Sequence, residues 1–173
     1  MDLKKFIRSI PDYPKKGILF RDITTLIKDE KAFEETINQI VERSKKFDFN
    51  KIAAIESRGF VFASAVSYIL KKPFIMLRKK NKLPSDTHSV DFELEYGTAT
   101  IEVHKDSINK NDKVLIIDDL IATGGTAEAA AKLVKISDGN VAAFVFVINL
   151  FDLGGCKNLT EKGYKVENLI EFP

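Results

Sequence analysis

One cysteine, two histidines and no tryptophan in 173 residues leave little material for several kinds of chemistry. Cys156 alone cannot close a disulfide within the chain, and one cysteine with two histidines falls short of a structural zinc set. A reducing cytoplasm is the expected setting. Neither sign of charge is in excess: 27 Lys and Arg stand against 25 Asp and Glu, a net +2. General attraction to nucleic acid or to an anionic membrane surface is therefore not expected, and any electropositive function has to be local. Long hydrophobic runs are missing too. The longest, Val141 to Phe151, is interrupted by Asn149 and is shorter than the roughly 20 residues that cross a bilayer. The start, MDLKKFIRSIPDYP, is basic without the apolar stretch of a signal peptide. No internal repeat, low-complexity segment or GxxxxGK[ST] phosphate loop occurs. With 45% hydrophobic residues the chain can build one domain that buries about 70% of its unfolded surface. A second full domain is not expected.

The most informative stretch is Val114 to Thr126, VLIIDDLIATGGT. Val114 to Ile117 is an unbroken apolar run, the pattern of a strand buried on both faces. Asp118 and Asp119 are expected to end it, because two adjacent carboxylates are costly to bury and belong at the open carboxyl edge of a sheet. Thr123, Gly124, Gly125 and Thr126 then lead into the alanine-rich segment Ala127 to Val134, a strong helix former. Backbone amides of the loop and the positive end of the helix dipole would face the same way and cradle an oxyanion. Carboxylates repel phosphate but accept hydrogen bonds from sugar hydroxyls. A ligand carrying both ribose and phosphate suits this order of residues.

Val114 to Thr126 closely resembles the phosphoribosyl pyrophosphate (PRPP) signature of the type I phosphoribosyltransferases. The resemblance implies that Asp118 and Asp119 hold the ribose hydroxyls, while Ala122, Thr123, Gly124, Gly125 and Thr126 wrap the 5′-phosphate. It extends over nearly the whole chain. Ile10 to Leu26, IPDYPKKGILFRDITTL, reads by composition only as a loop followed by an extended segment. It also resembles the N-terminal signature of the adenine phosphoribosyltransferases. There the segment forms a hood over the purine, with backbone groups near Leu19 and Arg21 on the base edge and Phe20 stacked on the ring. Ordinary core packing is the other reading of Phe20.

Further polar residues gather where strands should end. Lys51 to Ile55 is a short buried strand followed by Glu56, Ser57, Arg58 and Gly59, then a helix from Phe60 to Leu70. The turn resembles the family's pyrophosphate loop, in which the arginine and backbone amides contact phosphate, often through a cis peptide. A planar guanidinium suits that task, and an ordinary Arg58–Glu56 surface pair is the alternative. The strand Phe74 to Leu77 runs into Arg78, Lys79, Lys80, Asn81 and Lys82. By the resemblance, Arg78, Lys79 and Lys82 reach the pyrophosphate, sometimes across a dimer interface. Asn81 replaces the usual glycine, and asparagine tolerates left-handed backbone.

Leu83 to Glu93 is polar and weakly periodic, so a mobile lid is expected there, to keep water from an electron-poor ribosyl cation. Leu94 to Gly97, LEYG, is again family-like, and its Glu95 is the implied acid and base; as plain composition, Glu93, Glu95 and Glu102 are surface charges. Thr98 to Val103 reads as a strand, with Thr100, Glu102 and His104 on its wet face against Ala99, Ile101 and Val103. Elsewhere, Leu3, Phe6, Ile7 and Ile10 recur at helical spacing before Pro11. Asp29 can cap a packing helix along Phe33, Ile37, Ile40 and Val41. Val141 to Ile148 and Val166 to Phe172 read as strands, and Cys156 has no evident chemical role.

The expected fold is therefore α/β, a mainly parallel sheet flanked by helices. A single phosphoribosyltransferase domain spans 1–173, and residues 1–27 form the purine-binding hood. The resemblance implies transfer of the phosphoribosyl group from PRPP to adenine, giving AMP and pyrophosphate. It also implies Mg2+ held mainly by PRPP rather than by protein ligands, and a homodimer. A transferase for another purine predicts a different hood from the one matched at Ile10 to Leu26. A PRPP-sensing regulator would need a nucleic-acid surface that the near-neutral charge does not offer.

Overall fold

Alternating apolar residues on β3 (Lys51–Ile55) and β7 (Lys113–Ile121) divide the interior into two layers. Ile52, Ala54, Leu115 and Ile117 face one core, and Ala53, Ile55, Val114 and Ile116 face the other. Burial on both sides requires cover on both sides. The first is covered by α2 (Glu30–Ser44) and α3 (Gly59–Leu70), the second by α4 (Gly125–Ile136). The computed structural model describes residues 1–94 and 97–173.

The remaining strands are β4 (Phe74–Lys79), β5 (Thr87–Glu93), β6 (Thr98–His104), β8 (Asn140–Leu150) and β9 (Val166–Phe172). Together with β3 and β7 they form a seven-stranded sheet in the order β5-β6-β4-β3-β7-β8-β9. Within that order the strands from β4 to β9 run parallel, and β5 and β6 are antiparallel additions at one edge. A separate hairpin of β1 (Arg8–Pro11) and β2 (Leu19–Asp22) precedes them, followed by the single turn α1 (Thr24–Ile27). Asp29 caps α2, its carboxylate accepting from the Ala32 amide at 2.9 Å. A mainly parallel sheet between helices is thus the observed architecture.

Four local expectations are corrected. Leu3–Phe6 is one 3-10 turn rather than a helix reaching Ile10, and the chain then enters β1, since Pro11 disfavours helical backbone at Ile10. The polar stretch before Glu93 is largely β5, paired with β6 over seven residues; Val90 and Phe92 pack on the second core and hold it there. The acidic pair does not end β7. Asp118 pairs with Phe146 and the strand continues to Ile121. Finally, Glu102 is only 7% exposed, and His104 accepts the Ser85 amide on Nε2 at 3.3 Å.

Candidate active site at the carboxyl edge of the sheet

Parallel strands end on the same side, so the loops leaving β3 and β7 must converge. The result is a cavity of about 270 Å³ lined by residues 55–58 and 118–127 and by Phe146. Every residue of the expected ribose and phosphate set lines it. Gly124 bends at φ 94° into α4, whose first amides have no partner within the helix and point their dipole at this space. The loop is braced from behind by α5 (Gly155–Glu161). Gly155 donates its amide to the Ala122 carbonyl at 3.0 Å, and Asn158 Nδ2 donates to the Thr123 carbonyl at 3.4 Å. A side chain on Gly155 would place its Cβ 2.4 Å from the Ala122 oxygen. The stretch Asn149 to Gly155, NLFDLGG, reads in the sequence as a turn near the site edge, and its last glycine makes this brace.

The acidic pair is under electrostatic stress. Burial and the neighbouring Asp119 charge hold the Asp118 carboxyl well above its ordinary value. Burial also raises Asp119, against the opposing pull of Arg58. Arg58 Nε lies 3.0 Å from Asp119 Oδ2, yet the alignment is not that of a hydrogen bond and that oxygen remains buried without one. The surface pair expected as an alternative, Arg58 with Glu56, does not form among the described contacts. Gly59 lets the two loops meet: a Cβ there would be 2.7 Å from Asp118 Oδ1 and 3.1 Å from the Ile117 carbonyl. The Glu56–Ser57 peptide is cis.

The basic turn after β4 lies outside the cavity lining and is joined to it through Glu56. Arg78 faces this carboxylate, its Nε 3.4 Å from Oε2, and donates Nη1 to the Lys82 carbonyl at 3.1 Å. Lys79 donates its amide to Glu56 Oε2 at 2.8 Å. Burial disfavours the Glu56 charge, but the Lys79 amide and the Arg78 guanidinium outweigh it and hold the carboxyl below its usual range. The side chains of Lys79 and Lys82 remain exposed, whereas that of Arg78 is committed to holding the turn. Asn81 takes the left-handed conformation at φ 65°.

Of the expected hood residues, Leu19 is exposed and Phe20 half-buried, its ring edge-on to Tyr13 at 5.1 Å. The Arg58 guanidinium lies 5.5 Å from the Phe20 ring, bringing the hairpin to the cavity. Arg21 points away. It is buried against the Phe172 ring at 4.0 Å and donates to Ser9 Oγ, so its side chain anchors the hairpin. Glu95 lies outside the described residues; the Glu93 carbonyl, just before it, lies near Gly125. Burial pushes the Cys156 thiol up to about 11, which disfavours the thiolate.

A model of the phosphoribosyl transferase domain matches residues 23–168. The chain is 82% identical over 173 residues to the adenine phosphoribosyltransferase of Pelagibacter ubique, covering 100% of this chain and 99% of that one. Its fold is similar to the crystal structure of adenine phosphoribosyltransferase from Thermoanaerobacter pseudethanolicus, with a TM-score of 0.95, 46% identity and coverage of 99% and 98%. It is also similar to the Giardia lamblia enzyme complexed with 9-deazaadenine, with a TM-score of 0.92, 32% identity and coverage of 99% and 97%.

Proposed function

The chain belongs to the phosphoribosyl transferase family, and within it to the adenine phosphoribosyltransferases, joining adenine to PRPP to give AMP and pyrophosphate; we propose that the cavity at the sheet's carboxyl edge performs this transfer. The observation that carries the assignment is the convergence of the acidic pair, the amide-lined loop and Arg58 on one cavity. Asp118 and Asp119 accept the ribose hydroxyls, and Ala122 to Thr126 hold the 5′-phosphate on backbone amides and the α4 dipole. As the bond from the anomeric carbon to pyrophosphate breaks, positive charge develops on the ribosyl ring. The carboxylates below it tolerate that charge, while Arg58, Lys79 and Lys82 meet the departing pyrophosphate; Arg78 serves by fixing the turn. A purine nitrogen takes the anomeric carbon, and Glu95 is the proposed partner for the purine proton.

Residues 1–27 form the hood, with Phe20 presenting a ring face to the base and Leu19 and Arg21 contributing backbone groups. Magnesium fits the cleft. Asp118 and Asp119 offer hard oxygen donors, and the buried Asp119 Oδ2, although ion-paired with Arg58, accepts no hydrogen bond, so a cation carried mainly by PRPP would find a free acceptor oxygen there. When bound it neutralises the leaving group. The homodimer implied by the family has an apolar surface in Val61, Tyr68 and Ile69, all exposed on α3. A cytoplasmic setting accords with the single, half-buried cysteine, and among the described residues no helix is long and apolar enough to cross a membrane.

The test is incubation of the protein with PRPP, magnesium and each purine base in turn. AMP and pyrophosphate from adenine alone are expected. Binding of PRPP without conversion of any base would overturn the catalytic reading in favour of PRPP sensing.

A further inference from the structure

Glu102 occupies a position that strand alternation assigns to solvent, yet it is 7% exposed. Among the described residues it makes no ion pair. Its neighbour across the strands, Arg78, turns instead to Glu56. A carboxylate this buried needs hydrogen bonds, and it has two: Oε2 accepts the Asn81 amide at 3.1 Å, and Oε1 accepts from Ser89 Oγ at 3.2 Å. The first is the informative one, because Asn81 sits at φ 65° in the middle of the basic turn. Asparagine tolerates this left-handed backbone, and the hydrogen bonds made along the turn fix it there.

Glu102 supplies one of the ties that hold it. Along the turn, the Lys79 amide goes to Glu56, the Lys80 amide to the Thr100 carbonyl, the Asn81 amide to Glu102, and the Lys82 carbonyl accepts from Arg78. The backbone is held from two sides, and the side chains of Lys79 and Lys82 are exposed. We propose that Glu102 is a positioning residue for PRPP binding: through the Asn81 amide it sets the turn from which Lys79 and Lys82 reach the pyrophosphate, without touching substrate itself. The proposal rests on the reading of this turn as a pyrophosphate contact.

Steady-state kinetics on the full chain tests it. Glu102→Asp keeps the charge but withdraws the acceptor from Asn81 by one methylene. It is expected to raise KM for PRPP about tenfold, the size of one lost hydrogen bond to a charged acceptor. KM for adenine and kcat are expected to stay within about twofold, because the reacting atoms are untouched. Glu102→Gln can still accept from Asn81 through its amide oxygen and donate to Ser89, so KM for PRPP is expected within about twofold of the unaltered enzyme. An unchanged KM for PRPP in Glu102→Asp, or equal impairment in Glu102→Gln, would overturn the proposal. In the unaltered enzyme, the Asn81 amide should exchange hydrogen more slowly than a free peptide amide, and exchange at the free rate would overturn it whatever the variants do. The paired replacement Lys79→Ala with Lys82→Ala separates the two levels. If it leaves KM for PRPP unchanged, the turn is no pyrophosphate contact; if it raises KM while Glu102→Asp does not, the role of Glu102 alone fails.

Discussion

Arg58 Nε stands 3.0 Å from Asp119 Oδ2, which couples the turn leaving β3 to the acidic pair on β7. The guanidinium lowers the pKa of a carboxyl that burial would otherwise raise further. Removing it in Arg58→Ala should therefore push Asp119 up and move the acid limb of kcat/KM to higher pH. KM for PRPP should also rise about 10- to 100-fold, in line with the loss of a charge-assisted phosphate contact. Arg58→Lys should recover only part of this, since an ammonium lacks the planar fork. An acid limb that stays in place would show that Asp119 does not titrate against Arg58.

Asp118 is expected to trade stability for activity. A carboxyl whose folded pKa is raised destabilises the fold increasingly as pH rises from the ordinary carboxylate range through the folded value. Asp118→Asn should therefore melt about 2–4 °C above the unaltered protein at neutral pH, with the gap closing at acid pH. Its kcat/KM should fall at least about 100-fold. Thermal melts at several pH values, paired with an AMP assay, measure both.

Gly59→Ala should damage the site without removing any functional group. Its Cβ would meet Asp118 Oδ1 at 2.7 Å and the Ile117 carbonyl at 3.1 Å, and the second of these is backbone that cannot turn aside. Displacing Asp118 should cost about 100-fold in kcat/KM, with about 1–3 kcal/mol of stability lost to overpacking. A denaturant melt and the AMP assay would separate the two losses.

Asp22 ties the two strands of the N-terminal hairpin to each other and to the start of α1. The Thr24 amide at 2.9 Å, helped by Arg8, lowers its pKa from 3.8 to about 2. The stabilisation is fully present above the unfolded value and is lost as pH falls from about 4 towards 2. Asp22→Asn should therefore lower the melting temperature at neutral pH, and the difference from the unaltered protein should shrink across that acid window.

The α/β class, the apolar strand at Val114 to Ile117, the helix cap at Asp29 and the residues from Asp118 to Thr126 that line the cavity were legible in the sequence. Each is signalled by neighbouring residues: burial on both faces needs a continuous apolar run, and a phosphate loop needs glycines and hydroxyls just before a helix. Partners distant in the chain were not legible. The contacts of Arg58 with Asp119, and of Arg78 with Glu56 and the Lys82 carbonyl, have no signal in the neighbouring residues. Glu102 followed the alternation of an exposed face, and only the packing of β5, β6 and the basic turn around it made it buried. Local periodicity and propensity act within a few residues and so determine elements and motifs. Which charge meets which is decided by strand order and by burial, which exist only once the sheet has formed.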